Sequence, residues 1–163
     1  MRLTPRQEIW RGLLHGQRAM LLRLGSELKR DFGLTIAQYE ALLAVHQAPG
    51  GRLPATQLAR ELQYSSGSGS NLFARLEHPG LLRREAGVAD GRTQVVSLTP
   101  EGAERIERAT EAHVAALARE FEPLISDAEA PVLLAFARRL AGHEGVRSAP
   151  PETEAPGEAH SPD

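Results

Sequence analysis

Residues 65–76 read SSGSGSNLFARL, and this stretch decides how the chain folds. Its first half, Ser65 to Ser70, has the composition of a flexible linker. Its second half sets Leu72, Phe73 and Leu76 at the spacing of an apolar helix face. Either the stretch is a hinge between modules, or a small polar surface opens a helix that touches something. The flanks favour the helix. Upstream, Leu58, Ala59 and Leu62 share one side of a short helix that follows Leu53-Pro54. Tyr64 and Ser65 then make a turn, with Ser65 at the N-cap position. Downstream, Pro79-Gly80 stops the helix, and two β-type runs (81–85 and 93–98) flank a Gly/Asp-containing loop in the manner of a hairpin.

Further out, Thr4-Pro5 starts a long amphipathic helix whose Ile9, Trp10, Leu13, Leu14, Met20, Leu21, Leu24 and Leu28 recur three or four apart until Gly33. Thr35-Ile36-Ala37-Gln38 fits a capping box and opens a second helix carrying Tyr39, Leu42, Leu43 and His46. Thr99-Pro100 begins another long helix, with Ala103, Ile106, Thr110, His113, Val114, Leu117 and Phe121 as its expected buried stripe. Ser126 to Glu129 fits a capping box for a last helix with Val132, Leu133, Phe136 and Leu140.

The order is helix, helix, helix-turn-helix, hairpin, helix, helix. That predicts a mainly α fold with a small β-hairpin wing: a winged helix-turn-helix domain over residues 1–143. Its lobe for DNA spans about 35–98, flanked by dimerisation helices at about 4–32 and 99–142. The apolar stripes of the outer helices are wider than one small domain needs, so a second copy of the chain is the simplest partner.

Residues 144–163 contain four prolines and set Arg147 against five acidic residues, so they are expected to be a disordered acidic tail. Without them the body carries 18 cationic residues against 16 acidic ones, and the sequence pI near 6.3 says little against a nucleic-acid partner. Only Lys29 among the 19 cations is a lysine; arginine suits bidentate phosphate and base contacts.

Cysteine is absent, which removes disulfides, thiol nucleophiles and thiolate metal sites. No apolar run approaches the roughly 20 residues that span a bilayer, and the N-terminus lacks the apolar core of a signal peptide, so a cytoplasmic protein with no membrane partner is expected. No Ser-His-Asp spacing, paired-carboxylate constellation or Gly-rich phosphate loop after a strand is visible. The expectation is that the protein is not an enzyme and takes no cofactor. His113 has no histidine four residues away, so no metal site is expected either.

Three segments, 33–53 (GLTIAQYEALLAVHQAPGGRL), 58–85 (LARELQYSSGSGSNLFARLEHPGLLRRE) and 89–102 (ADGRTQVVSLTPEG), together resemble the MarR family of bacterial transcriptional regulators. The most specific is the Asp-x-Arg wing followed by Leu-Thr-Pro-Glu-Gly, and the likeness covers about residues 5–142. The resemblance implies a homodimer on a pseudo-palindromic double-stranded operator. It also implies a repressor released by a small aromatic or anionic ligand bound between the dimer interface and the DNA-binding lobe.

On that reading Ser66, Ser68, Ser70 and Asn71 lie on the opening turns of the recognition helix, where hydroxyls pair with phosphates or base edges and Asn contacts adenine. The plain alternative is a merely solvated surface. The family often has arginine at the position of Asn71. Gly67 and Gly69 each cost roughly 1 kcal/mol relative to Ala in a helix, and either allow close backbone approach or leave the first turn frayed. Arg75 reaches a phosphate or braces the helix. Arg83 and Arg84 alternate across a strand, so one of them faces DNA; Arg84 is counted in the interface. Arg92 corresponds to the wing arginine that enters the minor groove, with Asp90 orienting it through an ion pair. Trp10, His15 and His46 are candidate ligand contacts, against the plainer readings of an interface aromatic and exposed histidines. A winged-helix interaction module that has lost DNA binding is the alternative function.

Overall fold

A computed structural model describes residues 2–62, 66–77, 79–87 and 93–147. The elements are α1 (Pro5–Phe32), α2 (Ile36–Gln47), β1 (Arg52–Pro54), α3 (Ala55–Glu61), α4 (Ser66–Glu77), β2 (Leu82–Ala86), β3 (Gln94–Leu98), α5 (Pro100–Glu120) and α6 (Ala130–Arg147). Two compact units result, residues 1–119 and 120–163.

Local chemistry sets the helix ends. The Thr4 hydroxyl accepts from the Gln7 N–H, and the Gln7 amide oxygen accepts from the Thr4 N–H at 2.9 Å. Thr35 and Gln38 repeat this reciprocal box at the start of α2. Gly33, at φ 71°, closes α1 in the left-handed conformation that a side chain would disfavour. Gly80, at φ 73°, does the same after α4: its N–H donates to the Glu77 carbonyl and that of Leu81 to Leu76. The Thr99 hydroxyl donates to the Gly80 carbonyl and accepts from the Gly102 N–H, which joins the start of α5 to the turn behind α4.

The sheet has the antiparallel order β1-β3-β2, with Arg52 opposite Ser97 and Arg84 opposite Val96. The β2–β3 hairpin agrees with expectation to within a residue. Strand β1 was not expected, because the sequence reading gave Leu53-Pro54 only as the lead into a helix. Three residues ending in proline carry no two-residue alternation; the pairing with β3, more than 40 positions away, makes the strand.

The core of the first unit lies where the C-terminal half of α1, helices α2–α4, the sheet and α5 converge. Leu34, Leu42, Leu58, Leu76, Leu81 and Ile106 are all essentially inaccessible. Only Leu24 and Leu28 of the α1 stripe are buried. Ile9, Trp10, Leu13, Leu14 and Leu21, on the same side of the helix, remain exposed.

Helix α5 corrects the expected stripe. Gly102, Ile106, Ala109 and Ala116 face inward, whereas Val114 and Phe121 are exposed. The cause is Gly102, on which a Cβ would lie 2.0 Å from the Leu81 carbonyl oxygen. Ile106 is buried as expected, and the close approach at Gly102 brings the small Gly102, Ala109 and Ala116 inward beside it while Val114 stays exposed.

In the second unit the Ser126 hydroxyl and N–H both donate to the Glu129 carboxylate, at 2.6 and 3.0 Å, and α6 follows. Hydrogen bonding to Ser126 holds the Glu129 carboxyl below its usual pKa. The helix runs to Arg147, so residues 144–147 belong to α6 and not to the tail. Residues 148–163, the rest of the expected tail, lie outside the described residues.

Candidate nucleic-acid interface

The backbone from Ser66 to Glu77 is helical, so the linker reading of this stretch fails. Leu72, Phe73 and Leu76 anchor the inner face of α4, each at most 8% exposed. Asn71, Ala74 and Arg75 are exposed, and Asn71 and Arg75 stand one turn apart on the outer face. The expected N-cap Ser65, the side chains of Ser66, Ser68 and Ser70, and the wing pair Asp90 and Arg92 lie outside the described residues.

Beside this outer face opens a cleft of about 390 Å³, lined by Lys29, Thr35, Ala37, Gln38, Asn71, Leu72 and Arg75. It joins the end of α1, the start of α2 and the outer side of α4. Its charged lining is cationic only. The Lys29 ammonium donates to the Gly33 carbonyl at 3.2 Å. The Gln38 side-chain amide donates to the main-chain carbonyl of Arg75 at 3.4 Å. Sequence reading saw Gln38 only as a capping residue.

Arg83 and Arg84 lie on opposite faces of β2, and each has a carboxylate partner. Arg84 grips Glu77 at the end of α4, Nε to Oε1 at 2.8 Å and Nη2 to Oε2 at 2.6 Å. Hydrogen bonding to Glu77 raises the guanidinium pKa further. On the other face Arg83 donates to the Ser97 hydroxyl at 2.9 Å and shares Glu85 with Arg52. Strand alternation predicts the two faces; the partners follow only from the fold.

Trp10, His15 and His46 are all exposed and are not brought together around a cavity. The cleft between α1 and α5 is instead lined by Leu24, Glu27, Leu28, Asp31, Phe32, Ala112, His113 and Ala116. At about 20 Å³ it has room for roughly one water molecule. Behind it the rings of Tyr39 and His113 meet at 5.0 Å, tilted by 47°. Burial pushes the His113 pKa down. Arg119 on α5 pairs with Glu27 on α1 at 3.0 Å. The sequence reading placed Tyr39 and His113 on helix stripes and weighed His113 only as a metal ligand; Glu27 and Arg119 carry no signal of their pairing, because the two lie 92 residues apart. Among the described residues no group of three His, Asp or Glu could hold a metal ion, and no helix is long and apolar enough to cross a membrane.

Helices α3 and α4 followed by the antiparallel β2–β3 hairpin define a winged helix-turn-helix protein. The sequence pattern of the MarR family matches residues 32–93. Sco3205, a MarR family transcriptional regulator from Streptomyces coelicolor whose crystal structure is in complex with DNA, is 30% identical. The two superpose with a TM-score of 0.81 over 95% of this chain and 96% of that one. AbsC, another MarR family transcriptional regulator from Streptomyces coelicolor, is 29% identical with a TM-score of 0.81, over 91% of this chain and 99% of the other. An HTH-type transcriptional repressor of Mycobacterium bovis is 30% identical over 110 residues, 60% of this chain and 78% of that protein. The chain belongs to the MarR family of transcriptional regulators, which are not enzymes.

Proposed function

We propose that the chain is a homodimeric, sequence-specific repressor that leaves its operator when a small aromatic or anionic ligand binds. The observation that carries the reading is α4 itself: an apolar face seated in the core and an outer face with Asn71 and Arg75 on a cleft whose charged lining, Lys29 and Arg75, is cationic only. A helix so anchored presents polar side chains at a fixed depth, as major-groove readout requires. Ser66, Ser68, Ser70, Asn71 and Arg75 make the contacts along the recognition helix, and Arg92, oriented by Asp90, makes those of the wing. Arg84 acts differently: engaged by Glu77, it fixes the wing to α4 rather than reaching for phosphate. The DNA complex of Sco3205 and the name of the M. bovis repressor support the reading.

The exposed Ile9, Trp10, Leu13, Leu14 and Leu21 continue the line of buried Leu24 and Leu28, a stripe that a second copy would cover. The DNA-binding lobe spans about residues 35–98, between dimerisation helices at about 4–32 and 99–142. With only about 20 Å³ between α1 and α5, an effector must open that cleft or bind elsewhere in the dimer.

Incubating the purified protein with sheared DNA of its source genome and sequencing the retained fragments tests the proposal. One or a few fragments sharing an inverted repeat, released steeply by salt, are expected. Retention of no fragment above background at low salt would overturn it and favour the interaction module.

A further inference from the structure

The C-terminal turn of α4 has a gap in its backbone hydrogen bonding that the sequence itself creates. In a helix the carbonyl of residue i is met by the N–H of residue i+4. For Arg75 that residue is Pro79, which has no N–H. The next donors are used elsewhere: the Gly80 N–H goes to Glu77 and the Leu81 N–H to Leu76. Among the described residues, the donor that reaches the Arg75 carbonyl is the side-chain amide of Gln38, from another helix, at 3.4 Å.

Gln38 is also the reciprocal partner in the α2 capping box. Its Oε1 accepts from the Thr35 N–H at 3.0 Å and from the Thr35 hydroxyl at 3.1 Å. The amide is therefore held by one end at the start of α2 and presents its other end to α4. We infer that Gln38 is a positioning residue for DNA recognition, seating the C-terminal turn of the recognition helix on the α1–α2 corner through the carbonyl that Pro79 leaves open. Asn71 and Arg75 lie on the outer side of the same helix, within the cleft that Gln38 also lines. A shift of that turn moves both.

The inference rests on the proposed DNA binding, and the test separates the two. Gln38→Glu keeps an acceptor for Thr35 and suits the first turn of a helix, but cannot donate to Arg75. Pro79→Ala restores an N–H four residues beyond Arg75. The probe is a duplex retained by the unaltered protein from sheared genomic DNA, at one fixed salt concentration. Gln38→Glu is expected to weaken binding about three- to tenfold, the scale of one hydrogen bond, with the melting temperature lowered by no more than a few degrees. In the Pro79→Ala background the same substitution is expected to cost less than twofold. Equal affinity of Gln38→Glu and the unaltered protein overturns the inference. An equal loss in both backgrounds also overturns it, since added negative charge alone then accounts for the effect. Failure of the unaltered protein to retain any duplex overturns the DNA-binding reading instead.

Discussion

Arg84 of β2 and Glu77 of α4 form a two-pronged ion pair, with both nitrogen–oxygen distances under 2.9 Å, that ties the β2–β3 hairpin to the end of α4. Both side chains are about one-third exposed, so part of the attraction is screened by water. Its value lies in geometry: the planar fork fixes the angle between strand and helix. Arg84→Lys keeps the charge and loses the fork. Operator binding is expected to weaken several-fold while the melting temperature falls by only a few degrees. Electrophoretic mobility shift and calorimetry read the two, and unchanged affinity would remove Arg84 from the recognition apparatus.

Asn71 and Arg75 share the outer face of α4 and are expected to differ in kind. Replacing Arg75 by Ala should weaken all duplexes by roughly 1–3 kcal/mol and lower the salt slope by about one phosphate contact. Asn71→Ala should narrow the gap between the preferred duplex and its single-base variants, with little change in salt slope. A matched panel of duplexes at two salt concentrations distinguishes them.

Gly102 admits no side chain, because a Cβ there would lie 2.0 Å from the Leu81 carbonyl oxygen and the obstacle is backbone. Gly102→Ala is expected to destabilise the fold by roughly 2–4 kcal/mol despite the better helix propensity of alanine. Urea unfolding monitored by far-ultraviolet circular dichroism measures it, and a stabilised protein would contradict the contact.

Leu13 is exposed midway along the apolar side of α1. If that side is covered by a second copy, Leu13→Glu should shift sedimentation toward the monomer at micromolar protein and abolish tight operator binding. The helical circular dichroism should remain. A variant that sediments like the unaltered chain would place the dimer contact elsewhere.

His113 offers a pH signature. Burial depresses its folded pKa below the ordinary 6.5, so the unfolded chain takes up the proton first. The contribution to stability is complete above about pH 6.5 and is lost as pH falls through that value toward the folded pKa. His113→Gln should flatten this part of the stability–pH curve. Parallel curves for the two proteins below pH 6.5 would show that His113 does not titrate on unfolding.

How much was legible in the sequence follows the range of the interactions concerned. Thr35 and Gln38 announce the start of α2 because their partners lie three residues away. Pro79-Gly80 announces the end of α4 because proline and a left-handed glycine act on their own backbone. Even the stretch from Ser66 to Ser70 reads as helix through the apolar spacing that follows it. The inward face of α5 was only partly legible: the spacing placed Ile106 correctly, but it also pointed to the exposed Val114, whereas the close approach of the Leu81 carbonyl brings Gly102 inward. Strand β1 was missed because its only definition is its partner.

The sequence by itself thus determined the order of the helices, most of their caps, and the helical reading of α4, all of which depend on contacts within one or two turns of chain. Tertiary structure alone decided which carboxylate each of Arg83 and Arg84 engages, which face of α5 turns inward, and that the Gln38 amide meets the Arg75 carbonyl across 37 residues. Those choices depend on distances of a few ångströms between segments far apart in the chain, and only the packed core brings such segments together.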